Sequence, residues 1–244
     1  MGKNTKIAWT DRTWNPWYGC KKVSAGCRSC YMFRDMERYG KNPNIVQRSK
    51  STFRAPLRWR EPERVFTCSW SDFFIVEADA WRTEAWEIIR RTPHLTYQIL
   101  TKRPENIAAR LPFDWGTGYP NVWLGVTTEN QEAADVRIPI LLGIPAAIRF
   151  LSIEPLIGEI DLRMTVEFLG VSTAIKDWHP NWVIVGGESG PNFRPMNLDW
   201  ARSLRNQCLA AHVAFFYKQN SGLQPGTEPL LDGIEWHQSP GSVQ

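Results

Sequence analysis

Three cysteines near the start of the chain are the residues best suited to chemistry. Cys20, Cys27 and Cys30 are separated by six and two residues, whereas Cys68 and Cys208 lie far from them in the sequence. Thiolates grouped in this way bind zinc or iron–sulfur clusters. A closed structural zinc site needs four protein ligands, and no fourth cysteine or histidine lies nearby. A four-iron cluster held by three thiolates leaves one iron open, and the spacing favours such a reactive cluster.

Two other uses of these cysteines compete with the cluster. A zinc site is the main alternative, with its fourth ligand supplied from elsewhere in the sequence. A disulfide is disfavoured, because 244 residues bury a large core without cross-links and the first ten residues lack the apolar stretch of a secretory signal. The lack of a secretory signal also predicts a cytoplasmic protein. No apolar run is long enough to span a bilayer, so no membrane partner is expected.

Short apolar runs recur along the chain and predict its fold class. They lie at residues 65–69, 97–101, 122–126, 148–153, 182–186 and 214–217. Near-continuous apolar strands separated by helices are typical of parallel sheets, and the segment before Cys20 adds a seventh strand. The pattern predicts one α/β domain over residues 1–244. We expect a complete or partial TIM-like barrel of about six to eight parallel strands, with a polar extension at 219–244.

Helices and loops are predicted between these strands. The predicted helices cover residues 31–39, 79–91, 104–111 and 198–211. Each has a plausible apolar face or a capping residue, and Gly40 is expected to end the first of them. Two longer loops are predicted at 112–120 and 158–181.

Ionisable and small residues follow the predicted strands. Because the carboxyl ends of parallel barrel strands converge on one mouth, these residues are expected to form a site there. The candidate catalytic residues are Glu154, Glu188, Lys102 and Lys218, whose charges suit ligand binding or proton transfer. The candidate cofactor-binding residues at the same ends are Ser69, Asp72, Arg103, Glu129, Asn130, Gly186 and Gly187.

The basic residues of the chain are concentrated in one segment. The net charge is only +4, but residues 41–64 include seven Lys or Arg and two Glu. Such a segment suits contacts with phosphates, and a solvated basic loop is the common alternative. The thirteen tryptophans offer faces for stacking on bases, although most tryptophans pack in cores.

A series of distinctive motifs runs in order through almost the whole chain. They are TDRTWNPWYGC, GCRSCY, SWSDFF, LTKRPEN, VWLGVTTENQ, RFLSIEPLIG, VIVGGESGP and FFYKQN. Together they resemble a family of phage and bacterial proteins with a three-cysteine motif, described as radical-SAM-like. The resemblance indicates which residues form a site, but it does not indicate the substrate.

The chain is also similar to the wider radical-SAM superfamily. There a Cys-x3-Cys-x2-Cys motif binds a [4Fe–4S] cluster, and S-adenosyl-L-methionine (SAM) chelates the open iron. The resemblance implies that Cys20, Cys27 and Cys30 are the cluster ligands, and that Tyr31 is the tyrosine that often follows the third cysteine. This chain departs from the pattern, because six residues rather than three separate its first two cysteines.

These observations predict an iron–sulfur, SAM-dependent radical enzyme. The expected substrate is a small molecule or a nucleic acid, with a nucleobase as the first choice, and radical chemistry requires an electron donor. One alternative is a non-catalytic nucleic-acid-binding protein with a structural zinc or cluster site. The other is a barrel enzyme that uses its strand-end carboxylates for acid–base chemistry without a radical step.

Overall fold

The computed structural model describes residues 5–162 and 179–241. The described strands are β1 (Arg12–Trp14), β2 (Trp17–Tyr18), β3 (Gln47–Arg48), β4 (Arg64–Thr67), β5 (Thr96–Thr101), β6 (Val122–Thr127), β7 (Ile148–Ile153), β8 (Trp182–Gly186) and β9 (Ala214–Gln219). The described α-helices are α1 (Tyr31–Arg38), α2 (Asp79–Arg90), α3 (Gln131–Leu142) and α4 (Leu198–Ala210).

Seven strands form one sheet in the order β1-β4-β5-β6-β7-β8-β9. The pairs β1–β4, β4–β5, β7–β8 and β8–β9 are parallel. Every residue of β8 is buried, as expected of a parallel strand covered on both faces. The short strands β2 and β3 form a separate antiparallel pair. The predicted α/β class, the parallel pairing and the number of strands are confirmed, and the topology is compatible with a partial barrel.

The chain divides into two compact units. The first consists of Met1–Val23, Cys30–Gly125 and Pro145–Ala147, and the second consists of Ser24–Ser29, Val126–Ile144 and Ile148–Gln244. The short segment that carries Cys27 therefore belongs to the second unit, although it lies early in the sequence.

Aromatic side chains fill the core of the first unit. Trp14, Trp17 and Phe73 are completely buried. The indole nitrogen of Trp14 donates to the carbonyl of Phe53 at 3.1 Å, and that of Trp17 donates to the carbonyl of Asp72 at 3.1 Å. These tryptophans have the core role that is common for this residue type, with their polar atoms satisfied by the backbone.

The predicted helices are confirmed except for one. The segment predicted as a helix at 104–111 forms two 3-10 turns, Pro104–Asn106 and Ala108–Arg110, because its amides bond three residues back rather than four. Helix α3 was not among the predicted helices. It contains an internal proline, Pro139, and apolar residues on several faces, so its sequence lacks a clear amphipathic pattern.

The polar segment after β9 packs on that strand. The backbone amide of Tyr217 donates to the carbonyl of Trp236 at 2.8 Å, and the backbone amide of Gln238 donates to the carbonyl of Phe215 at 3.2 Å. Leu231 in this segment is completely buried. The predicted extension at 219–244 thus begins on the last residue of β9, and its described part, as far as residue 241, makes contacts within the second unit.

Two further expectations concern the ends and loops of the chain. Most of the loop predicted at 158–181 lies outside the described residues, as do the last residues of the extension. Among the described helices, none has the length and apolar character required to cross a membrane.

Candidate functional site

Cys20 in the first unit lies beside a buried ion pair. Nη1 of Arg103 donates to Cys20 Sγ at 3.7 Å and to Asp72 Oδ2 at 3.0 Å, and its Nη2 donates to the carbonyl of Lys21 at 2.7 Å. The hydroxyl of Thr101 donates to the other oxygen of Asp72 at 2.7 Å. Arg103, predicted to bind a cofactor, thus contacts the thiol of the first cysteine and the backbone of the next residue, and Asp72, predicted to do the same, holds Arg103.

The charge of Arg103 suits a thiolate neighbour. Burial lowers the pKa of Arg103, but the negative charge of Asp72 and the contact with the sulfur of Cys20 outweigh it and raise the pKa above its ordinary value. The guanidinium therefore stays protonated, and it offers a fixed positive charge to the sulfur of Cys20.

Cys30 is the N-cap residue of α1 in the same unit. Tyr31, the next residue, donates from its hydroxyl to the carbonyl of Ser69 at 2.6 Å. The side chain of Ser69 accepts from the amide of Asn15 at 2.9 Å. Tyr31 and Ser69, both predicted to bind a cofactor, thus attach the start of α1 to the turn after β4.

Cys27 lies in a 3-10 turn, Ala25–Cys27, in the second unit. The amide of Gly26 donates to Glu129 Oε1 at 3.2 Å, and Arg137 donates to Glu129 Oε2 at 2.8 Å. A Cβ atom on Gly26 would lie 2.9 Å from Cδ of Glu129, so any larger residue would force the turn or the carboxylate to shift. Glu129 is 1% exposed, and its carboxylate is used to hold the turn that carries Cys27.

Glu188 holds the same turn through Arg194. Arg194 donates to Glu188 from Nε at 3.0 Å and from Nη2 at 2.5 Å, while its Nη1 donates to the carbonyl of Ala25 at 3.1 Å. Ser29, at the end of the segment, also donates to Glu188. Burial raises the pKa of Glu188, but the hydrogen bonds from Arg194 and Ser29 outweigh it and the pKa is lowered. Glu188 is therefore a carboxylate at neutral pH.

Glu154 and Lys218 form an ion pair with each other. Their side chains are 20% and 15% exposed, so the pair is only partly withdrawn from water. A Cβ atom on Gly186 would lie 3.5 Å from both Glu154 Cδ and Lys218 Cβ, which places Gly186 against the pair. Lys102 differs from them, because its ammonium group forms no ion pair with any residue that the structure describes.

Two of the predicted cofactor-binding residues have roles within the fold. A Cβ atom on Gly187 would lie 2.3 Å from the backbone nitrogen of Ser221, so glycine is required where these two chain segments meet. The side chain of Asn130 accepts from the amide of Ala133 at 3.0 Å and caps the start of α3.

Cys68 and Cys208 are core residues. They are 3% and 1% exposed. Burial raises the pKa of the Cys68 thiol well above its ordinary value, and it raises that of Cys208 to about 12. Both thiols therefore stay protonated and unreactive at neutral pH.

The chemistry of the donors, rather than their placement, fits an iron–sulfur cluster. All five cysteines are free thiols. Within residues 5–162 and 179–241, no group of three or more His, Cys, Asp or Glu side chains is arranged to hold a metal ion. Three free thiols in the short segment from Cys20 to Cys30 are nevertheless the donors that such a cluster uses, and Arg103 provides a cation beside one of them.

Three residues of this site were not predicted from the sequence. Arg137 and Arg194 neutralise buried carboxylates, and Gly26 allows the turn to approach Glu129. The available sequence signals were weak: a glycine directly before Cys27, and an arginine on the same short segment as each glutamate.

The chain belongs to a protein family whose function is not known. Residues 4–240 match the family described as "Protein of unknown function (DUF5131)", which covers almost the whole chain. Comparison with curated proteins and with solved structures found no match.

Proposed function

We propose that this protein is an iron–sulfur enzyme that uses SAM, with Cys20, Cys27 and Cys30 as the ligands of a [4Fe–4S] cluster. The observation that carries the proposal is the use of buried charged residues at the strand ends. Arg103 contacts the thiol of Cys20, and Glu129 contacts the turn that carries Cys27. Buried charges are costly unless they are paired, so their concentration on cysteine-bearing segments supports a functional role for these segments.

The chain's own residues have distinct tasks under this proposal. When bound, the cluster supplies single electrons for radical chemistry on SAM. Arg103 offsets the negative charge of the Cys20 thiolate, and Glu129 and Arg194 fix the backbone around Cys27. The partly exposed pair Glu154–Lys218 offers a carboxylate and an ammonium group to the amino acid part of SAM. A TIM-like barrel, a cytoplasmic location and an external electron donor belong to the same proposal.

Metal analysis after anaerobic purification tests the cluster. We expect brown protein with about four irons per chain, as one cubane cluster requires. Changing Cys20, Cys27 or Cys30 singly to Ala removes a ligand and is expected to abolish most of the iron. Cys208→Ala is the matched control, because this thiol lies on the buried face of α4, and it should keep its iron. One zinc per chain with no iron would overturn the proposal in favour of a structural zinc site.

The response of the cluster to SAM separates the enzyme proposal from its rivals. Electron paramagnetic resonance of the reduced cluster should change when SAM is added, because SAM would ligate the open iron. If the iron-loaded protein gives the same spectrum with and without SAM, the proposed radical step is wrong. That outcome would favour acid–base chemistry, for which the ion pair Glu154–Lys218 at the strand ends is the specific observation.

A further inference from the structure

Aromatic and basic side chains form a surface on the first unit. We call it the Tyr39 surface and define it by Tyr18, Arg38, Tyr39, Lys41 and Trp70. The ring of Tyr39 is 66% exposed and lies nearly parallel to that of Trp70, with an interplanar angle of 23° and centroids 6.4 Å apart. The ammonium group of Lys41 lies 4.9 Å from the centroid of the Tyr18 ring. The surface thus combines aromatic rings with a cation that lies against one of them.

The backbone holds Tyr39 and Lys41 in fixed positions. Helix α1 ends in a Schellman motif, in which Lys41 donates to the carbonyl of Met36 at 2.9 Å and Gly40 donates to that of Glu37 at 2.9 Å. Gly40 has a φ of +66°, a conformation that glycine adopts at little cost. Because the motif fixes the residues on both sides of Gly40, the surface is organised before any partner binds.

The two cations of the Tyr39 surface have no acidic partner. Within the described residues, neither Arg38 nor Lys41 forms an ion pair with a carboxylate. Elsewhere in the basic segment, Arg48 and Arg54 share Glu84, and Arg64 pairs with Asp11. The predicted basic segment at 41–64 therefore has unpaired charge at its start, where it adjoins the aromatic rings.

The Tyr39 surface adjoins the cysteines of the first unit. Tyr18, Trp70, Cys20 and Cys30 all pack against one buried cluster, formed by Met32, Phe33 and Met36. Two residues of the surface and two of the three cysteines thus pack on the same buried cluster.

We propose that the Tyr39 surface binds single-stranded nucleic acid. Aromatic side chains stack on bases that are free of a duplex, while unpaired lysine and arginine contact the phosphates. A duplex keeps its bases stacked on one another and leaves Tyr39 without a partner. An acidic protein would use the cations but not the exposed aromatic faces, so it explains less of the surface. The binding of this nucleic acid does not depend on the proposed function. Only its role as the substrate of the enzyme rests on that function.

Fluorescence anisotropy with a labelled oligo-dT and the matching oligo-U tests the proposal. The unlabelled duplex should compete poorly with either strand. Tyr39→Ala should weaken binding about five- to a hundredfold, the usual effect of removing one stacked aromatic ring, whereas Tyr39→Phe should keep it. Lys41→Gln should weaken binding and reduce the slope of log K against log salt by about 0.7, because one phosphate contact is lost.

Two control variants and one second measurement make the test decisive. Phe113 is 99% exposed and Lys6 is exposed, and neither is part of the Tyr39 surface. Phe113→Ala and Lys6→Gln should therefore bind as tightly as the unmodified protein. Unchanged binding by Tyr39→Ala, equal losses in the controls, or a preference for duplex would overturn the proposal. Iron analysis of the same samples is independent of these results, so the failure of nucleic-acid binding and the failure of the proposed cluster are distinguishable.

Discussion

Side chains at the strand ends differ in how far their charges are withdrawn from water. Glu129 and Glu188 are 1% and 5% exposed, and each is paired with an arginine. Glu154 is paired with Lys218, but both remain partly exposed. Exposed pairs contribute little to stability, whereas breaking a buried pair leaves an uncompensated charge. The same substitution should therefore have different effects at these glutamates.

Glu188→Gln and Glu154→Gln test this difference directly. We expect the first to lower the free energy of unfolding by about 1–3 kcal/mol, because the buried Glu188 loses its charge-assisted hydrogen bonds from Arg194, whose own side chain is 24% exposed. The second should cost less than about 1 kcal/mol, yet it should weaken the response of the cluster to SAM, because Glu154 then offers no charge. Urea denaturation measures the stabilities, with the exposed Glu159→Gln as a control. Equal losses at Glu154 and Glu188 would assign both pairs to the scaffold.

The turn Ala25–Cys27 is the element on which the site depends most. Its amide at Gly26 is bound to Glu129, and its carbonyl at Ala25 is bound to Arg194. A 3-10 turn of this length has few hydrogen bonds of its own, so these contacts determine its position.

Gly26→Ala tests the importance of that position. The added Cβ would lie 2.9 Å from Glu129, so the turn or the carboxylate must shift. We expect a loss of about 1–3 kcal/mol in the free energy of unfolding, faster alkylation of Cys27 and less bound iron. Gly143→Ala is the matched control, since its Cβ would lie no closer than 3.5 Å to its neighbours. Mass spectrometry of the alkylated peptides measures the reactivity. Equal alkylation of Cys27 in the two variants would mean that Glu129 does not position the turn.

Elements with uniform apolar sequences were predictable, and those with conflicting signals were not. Strand β8 is an unbroken apolar run, and β7 is apolar apart from Arg149 and Ser152, as expected of buried parallel strands. Helix α3 was not predicted because it contains Pro139, although Asn130, directly before the helix, is a strong N-cap signal. At the site, the sequence indicated the charged residues at the strand ends. It did not indicate that Glu188 pairs with Arg194, because that pairing depends on the directions of side chains in an irregular loop.

Across the whole molecule, carboxylates held by arginine determine the response to acid. Hydrogen bonds from arginine lower the pKa of Asp11, Asp79 and Glu84 in the first unit and of Glu188 in the second, although burial alone would raise each of them. A carboxyl group with a lowered pKa stabilises the fold above its unfolded pKa, which is about 4. That contribution is lost as the pH falls through the folded value.

The melting temperature should therefore be nearly constant from neutral pH down to about pH 5 and should fall steeply below about pH 4. Thermal melts at a series of pH values measure this dependence. Glu188→Gln should show a shallower fall below pH 4 than the unmodified protein, because one of the titrating groups is absent. The exposed Glu159→Gln should follow the unmodified protein. A melting temperature that is the same at pH 3 and pH 7 would contradict this account.

The contacts of β9 have a consequence for chains that are cut short. β9 stands at one end of the strand order, and an open strand edge is a template for pairing with another chain. Here the edge is covered by residues translated after it, since Tyr217 donates to Trp236 and Gln238 donates to Phe215. Without those residues, the apolar run Ala-Phe-Phe-Tyr would have unpaired backbone groups along that edge. A stop codon directly after β9 would leave the edge permanently open, and the truncated chain should be more prone to aggregate than the full chain.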